Sequence, residues 1–228
     1  MTITPTTLFR ASGVAASLAG LIFVGVQINH PHLDATSITT IDVIARNSLK
    51  LLMAALALAG LTGMYLRQVT KIGLLGLLGY VLFAAGYLLM LGTAFVAAFV
   101  LPTLAHSAPD YVSDVIAAAN NGTAIGDIGL MQTVIYVTGI AYLAGGFIFG
   151  IALFRANVLA RWASALLALG TLATIAISIM PQYERLFAIP TGVALIGLGY
   201  SLWRSRRTPA ARPVPSPASS QLEPAGAQ

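Results

Sequence analysis

Six long apolar runs, separated by short polar segments, dominate the pattern of this chain. They cover roughly residues 9–28, 47–66, 72–100, 128–154, 162–180 and 186–203. A helix of about 20 apolar residues crosses a hydrocarbon core of about 30 Å. Because lipid offers no partners to backbone N–H and C=O groups, each run must form its hydrogen bonds within a helix. The pattern therefore predicts an all-α, polytopic bundle of six transmembrane helices. The third run is about 44 Å long at about 1.5 Å per residue, so its helix should tilt within the bilayer or protrude from it.

Composition agrees with a membrane protein and excludes several other classes. Of the 228 residues, 57% are hydrophobic and 8% are charged, whereas a soluble domain carries about 25% charged residues. The formal charge is +5, but the basic residues are scattered at the ends of the runs, so we expect no nucleic-acid partner. Cysteine is absent, which excludes disulfides, thiolate metal ligands and thiol catalysis. The expected partner is the lipid bilayer, with another membrane protein or a second copy of the chain as further candidates.

The basic residues also predict an orientation. Lys and Arg are retained in cytoplasmic loops, and nine of the twelve fall on one set of run ends: Arg10, Arg67, Lys71, Arg155, Arg161, Arg204, Arg206, Arg207 and Arg212. Both termini are therefore expected in the cytoplasm of a cell-membrane protein. Residues 1–207 would form the transmembrane domain. Residues 208–228, rich in Pro, Ala and Ser, would form a disordered cytoplasmic tail.

Small residues predict where the helices pack. Helices in lipid associate through small residues that allow close approach. Residues at steps of seven or four, which share one helix face, are Gly139, Gly146 and Gly150 in the fourth run and Ala55, Ala59 and Gly63 in the second. We expect both faces to be packed seams.

A charged series opens the second run. Asp42, Arg46 and Lys50 recur every four residues and so line one helix face. Lys50 enters the edge of the bilayer, where a charge is costly unless it snorkels or finds a partner. Asp127, at the start of the fourth run, is the expected partner. The favoured interpretation is an ion-paired lock between helices, with snorkelling alone and an ion pathway as alternatives.

Three histidines raise the question of a metal site. His30 and His32 flank Pro31, and His106 lies in a loop expected on the same outer side. Imidazole suits zinc or copper, and a histidine there could instead sense pH. Two ligands around a proline make a weak site, so we favour a polar interfacial turn without a cofactor.

The longest loop, after the third run, contains a short amphipathic segment. Pro109 and Asp110 would begin a helix, and Asn121-Gly122 would end it. Tyr111, Val112, Val115, Ile116 and Ala119 form its apolar stripe. Such a helix should lie flat on the outer surface as a lid over the bundle.

The layout resembles a group of bacterial six-helix membrane proteins that form a domain family of unknown function. The features that carry the resemblance are D-x-x-x-R at Asp42 to Arg46, Trp162 opening the fifth run, and GLGYSLWR ending the sixth. They cover most of the membrane part and none of the tail. The resemblance implies architecture and no activity.

Three functional hypotheses follow. The sequence contains no phosphate-binding lysine loop, no H-E-x-x-H, no G-x-S-x-G and no glutamate pair within a run. The leading hypothesis is therefore a non-enzymatic structural or regulatory membrane component. The alternatives are a transporter of a small neutral solute and an outward-facing metal- or pH-responsive membrane protein.

Overall fold

A computed structural model describes residues 4–28, 34–120, 122–174 and 184–205. Within these residues seven helices and no strand are present: α1 Pro5–Gly25, α2 Ile41–Arg67, α3 Val69–Leu104, α4 Pro109–Ala119, α5 Met131–Ala156, α6 Arg161–Ala173 and α7 Glu184–Arg204. The all-α prediction is confirmed. In this part of the chain α1, α2, α3 and α5 are long and apolar enough to cross a membrane.

The six helices other than α4 form a closed ring in chain order. Each of them contacts the next, and α7 returns to α1. Contacts also join α2 to α7 across the ring. Neighbours are antiparallel, because Gly13 of α1 lies against Gly199 of α7 while Gly20 lies against Gly192.

Alternating directions collect basic side chains at one end of the ring, here called the basic end. It contains Arg10, Arg67, Lys71, Arg155, Arg161 and Arg204. Contacts between elements hold this end together. The Arg67 guanidinium lies 5.9 Å from the centroid of the Phe9 ring, and its Nε donates to Ser205 Oγ at 3.4 Å. Helix α4 lies at the opposite end.

Glycine makes the closest helix contact, between α3 and α5. A Cβ atom on Gly86 would lie 2.7 Å from the Tyr142 backbone N, and one on Gly79 would lie 2.5 Å from the Phe149 backbone N. Only hydrogen fits between these backbones. Beside this seam Phe83, Tyr87 and Phe149 are fully buried, so a close glycine contact adjoins an aromatic core.

The third run is interrupted near both of its ends. Gly73 has φ +63° and ψ −169°, which kinks α3 after its first turn, and Val96–Val100 forms a π-helical turn before Leu101–Leu104. The long run is thus broken into segments rather than forming one straight rod. The fifth run forms α6, which ends at Ala173 and is followed by Thr174, and its residues 175–180 lie outside the described ranges. The tail, residues 208–228, also lies outside them.

For three of the expected packing residues the prediction is wrong. Ala55, Ala59 and Gly139 are exposed, and a Cβ on Gly139 would meet nothing within 4 Å. In α2 the buried small residues are Ala54, Ala57, Gly60 and Gly63. In α5, Gly146 and Gly150 pack on Thr171 and Ala168 of α6. On both helices the packed face therefore lies beside the face that the sequence predicts.

Candidate functional site

Helix α4 covers the end of the ring opposite the basic end. As its amphipathic pattern predicts, Val112, Val115 and Ile116 are buried, although Ala119 is exposed. They belong to a separate apolar cluster with Ile38, Val43, Leu101, Ala118 and Ile128. This second cluster, distinct from the core of the ring, is what fixes α4 onto the bundle.

The loop that follows α4 is tied back to it by hydrogen bonds. The Asp114 carboxylate accepts from the backbone N–H groups of Ile125 and Gly126, both at 2.9 Å. The side-chain oxygen of Gln132 accepts from Ala124 N at 3.4 Å. These contacts join α4, the loop and the start of α5 into one cover.

Beneath this cover lies a cavity of about 260 Å³ between α2, α3 and α5. Its described apolar lining consists of Ile38, Met90, Ala94, Val96, Ala97, Leu101, Val115, Ile116, Ala119, Met131 and Ile135. Its described polar lining consists of Asn47, Lys50, Thr93 and Thr138, and includes no Asp, Glu or His. Ligand sites are typically concave, mostly apolar and provided with a few polar groups, and this cavity has that composition.

The π-helical turn of α3 forms part of the cavity wall. Val96 and Ala97 belong to both. Asn47, a buried side chain of α2, reaches across with Nδ2 3.5 Å from the Ala97 carbonyl oxygen. A π turn disturbs the regular helical hydrogen bonds, and such turns occur frequently at functional sites. Asn47 thus supports an irregular backbone segment at the wall.

The hydrogen-bonding capacity of the lining is uneven. Thr93 donates to the Met90 carbonyl oxygen at 3.1 Å and Thr138 to that of Val134 at 2.7 Å, so both hydroxyl protons are used within their own helices. Lys50 has three N–H donors and no acceptor, and the amide nitrogen of Asn47 has two. Both side chains with N–H donors in the described lining therefore belong to α2.

Three buried hydroxyl groups lie below the cavity. Those of Tyr87, Tyr142 and Thr191 have no hydrogen-bond partner among the described residues. The two tyrosine rings are 5.7 Å apart, and Tyr142 lies one helical turn beyond Thr138. Buried hydroxyls normally bind a protein group, water or a ligand, so these three form a polar spot within an otherwise apolar interior.

The charged series is only partly assembled as expected. The Asp42 carboxylate lies 3.0 Å from Arg46 Nε, and Arg46 also donates to the Ile28 carbonyl oxygen at 2.9 Å. Lys50 and Asp127 are both described, but their charged groups do not come within the 4.0 Å of an ion pair. Asp127 is exposed and accepts from Gly129 N at 2.8 Å. The predicted ion pair between Lys50 and Asp127 is therefore wrong, and Lys50 lines the cavity instead.

The histidines do not form a described site. His106 is exposed, and no group of three metal-ligating side chains occurs among the described residues. His30 and His32 lie outside the described ranges, so the metal hypothesis stays a prediction.

The sequence pattern did not indicate the cavity or two of its polar residues, Asn47 and Thr93. An asparagine three residues before Lys50, on the same helix face, was the available signal. The described lining contains no nucleophile paired with a base. Comparisons with protein-family models, curated proteins and solved structures find no match to this chain. Its four long apolar helices indicate a membrane protein.

Proposed function

We propose that this is a multi-pass protein of the cell membrane in which all six ring helices are embedded in the bilayer and both ends face the cytoplasm. The support is the alternation of the ring. It puts α6 and α7 in the same layer as the four long apolar helices, and it collects six basic side chains at one end. Positively charged ends are those retained in the cytoplasm.

The cysteine-free chain allows a direct test of this orientation. Thr70 is exposed at the basic end and Ile125 is exposed at the opposite end. A membrane-impermeant maleimide applied to intact cells should label Ile125→Cys, and it should label Thr70→Cys only after lysis. The reverse pattern would contradict the orientation, and labelling of both in intact cells would contradict the six embedded helices.

We further propose that the protein is a non-enzymatic, ligand-binding component of the membrane, regulatory in role, with the cavity beneath α4 as its binding site. The single observation that carries this is the composition of the cavity, an apolar pocket with four polar side chains, two of them on α2, under a separately packed cover. A volume of about 260 Å³ lies just below the roughly 300–1,000 Å³ that is typical of ligand sites. The ligand is therefore small.

Cavity binding can be tested by filling the cavity. Ala97 lines it, whereas Ala55 is exposed on α2. In neutral-lipid nanodiscs, a short uncharged amphiphile such as decanol should bind the wild type and Ala55→Phe equally, and Ala97→Phe more weakly. Binding by all three proteins at the level of empty nanodiscs would contradict the proposal.

A passive path for a small neutral solute is the second candidate. It is favoured by the buried hydroxyls of Tyr87, Tyr142 and Thr191, which have no hydrogen-bond partner within the described ranges and continue a polar route below Thr138. Proteoliposomes should then take up a small polyol such as glycerol faster than empty liposomes, and Tyr142→Phe with Thr191→Val should slow the uptake. Uptake equal to that of empty liposomes would refute this candidate.

A further inference from the structure

We propose that a groove between α6 and α7 at the basic end binds one anionic phospholipid, with its phosphate beside Arg204 and the start of an acyl chain beside Trp162. The groove has a volume of about 340 Å³ and is lined by the loop before α6, the start of α6 and the last two turns of α7. The inference rests on the proposed embedding of α6 and α7 in the bilayer. It adds a lipid site at the end of the ring opposite the cavity beneath α4.

Aromatic side chains form the inner end of the groove. The tip of the Trp162 indole lies directly against Gly197 of α7, where a Cβ atom would overlap it. Tyr200 follows one turn later on the same face of α7, and both aromatic side chains are exposed. Trp and Tyr are enriched at the level of the lipid head groups. The groove therefore opens where the head group of a lipid joins its acyl chains.

Hydrogen-bond donors form the outer end of the groove. Arg204 lies seven residues after Gly197, about 10 Å further along the same face of α7, and its guanidinium forms no ion pair or hydrogen bond with another described residue. Between them the Ser201 hydroxyl accepts from Ala160 N at 3.0 Å. No side chain caps the first turn of α6, whose N–H groups lie beside the groove. A guanidinium and the start of a helix are both favourable partners of a phosphate.

The charge around the groove favours an anionic lipid over a zwitterionic one. The described acidic residues all lie toward the opposite end of the ring: Asp34, Asp42, Asp110, Asp114, Asp127 and Glu184. Among the basic residues Arg161 lies over the Phe154 ring, 4.3 Å from its centroid, whereas Arg204 lines the groove. The ammonium of a zwitterionic head group would therefore meet these cations and no described carboxylate. A free phosphate would contact only the outer end, so the whole groove suits a lipid.

The two tryptophans of the chain allow a direct test. Trp203 does not line the groove, so Trp203→Phe leaves Trp162 as the only indole of the protein. The variant would be reconstituted in phosphatidylcholine liposomes in which part of the lipid is replaced by brominated phosphatidylcholine or brominated phosphatidylglycerol, whose bromines quench an indole that they contact. We expect the affinity at Trp162 to be about fivefold higher for phosphatidylglycerol, which corresponds to about 1 kcal/mol for one basic residue near the membrane surface.

Matched variants in the Trp203→Phe protein locate the preference. Arg204→Gln removes the cation of the groove, whereas Lys71→Gln removes an equally exposed cation of the basic end from α3, which is not a neighbour of α6 or α7 in the ring. The first should lower the ratio of the two affinities to near one, and the second should retain it. Excess glycerol 1-phosphate, the free head group, should leave the quenching unchanged.

Equal or stronger binding of phosphatidylcholine at Trp162 would overturn the inference but leave the embedding intact, because Trp162 would still contact lipid. An unchanged preference in Arg204→Gln, or an equal loss in Lys71→Gln, would also overturn it, since the preference would then belong to the basic end as a whole. Relief of quenching by glycerol 1-phosphate would mean that the groove binds a free phosphate instead. Absence of quenching by both lipids would contradict the embedding of α6 and remove both proposals together.

Discussion

The contact between α3 and α5 gives the sharpest prediction on stability. Replacing Gly86 by Ala places a Cβ 2.7 Å from Tyr142 N and 2.9 Å from Tyr142 Cα, both backbone atoms. Ordinary contact begins at 3.4 Å, so the helices must separate by 3.4 − 2.7 = 0.7 Å at this point. Because the obstacle is backbone, no side-chain rotation relieves it. Overpacking of this kind costs about 1–3 kcal/mol.

The matched control is Gly139→Ala on α5. Both substitutions gain up to about 1 kcal/mol of helix propensity, but a Cβ on Gly139 meets nothing within 4 Å. The difference between the two variants therefore isolates the packing cost of Gly86. At about 2–4 °C per kcal/mol for a chain of this size, Gly86→Ala should melt at least about 2 °C below Gly139→Ala. Circular dichroism in one detergent measures both.

The outcome that would refute this reasoning is a Gly86→Ala protein that melts at or above Gly139→Ala. It would mean that α3 and α5 are farther apart than described. Gly79→Ala gives an independent repeat, because its Cβ would lie 2.5 Å from Phe149 N.

Three further predictions concern the kink, the cover and one hydrogen bond. Gly73→Ala should lower the free energy of unfolding by about 1–3 kcal/mol, because only glycine suits the backbone angles at this position. Gly92→Ala, in an open helical position, should not melt below the wild type, and equal melting temperatures of the two variants would contradict the kink. Val112→Asp should raise the rate of amide hydrogen exchange throughout α4, and Ser113→Asp should not, because the Val112 side chain is fully buried and that of Ser113 is exposed. Equal exchange rates in the two variants would contradict the packing of α4 on the bundle. Tyr80→Phe removes a 3.0 Å bond to α2 and should cost about 0.6 kcal/mol in detergent unfolding; no change would mean that the bond is replaced.

The helical content was predictable because lipid leaves the backbone no other choice. Apolar run length and the absence of two-residue alternation determine that answer without tertiary information. The amphipathic helix α4 was also predictable, since the spacing of Val112, Val115 and Ile116 marks one face. Both are properties of local sequence, which a single chain displays directly.

The packing faces were not predictable at the same level. In α2 the segment from Met53 to Gly63 is so rich in alanine and glycine that several faces carry small residues at helical spacing. The face that packs is decided by the neighbouring helices, α1 and α3. Similarly, the expected bridge from Lys50 to Asp127 failed because Asp127 finds a local backbone N–H two residues later. A local partner competes with a distant one, and the pattern of charges does not decide between them.

The ring in chain order has a consequence for how the protein is made. Each ring helix, once synthesised, can dock on the helix before it, but the contact of α7 with α1 closes the ring only when the last of these helices has been synthesised. Until then Gly13 and Gly20 of α1 would face lipid or whatever membrane factor shields unfinished bundles. A ribosome that stops before Glu184 would leave two open helix faces, one on α1 and one on α6. Membrane quality control could thus recognise a released, truncated chain by the exposed helix faces of its unclosed ring.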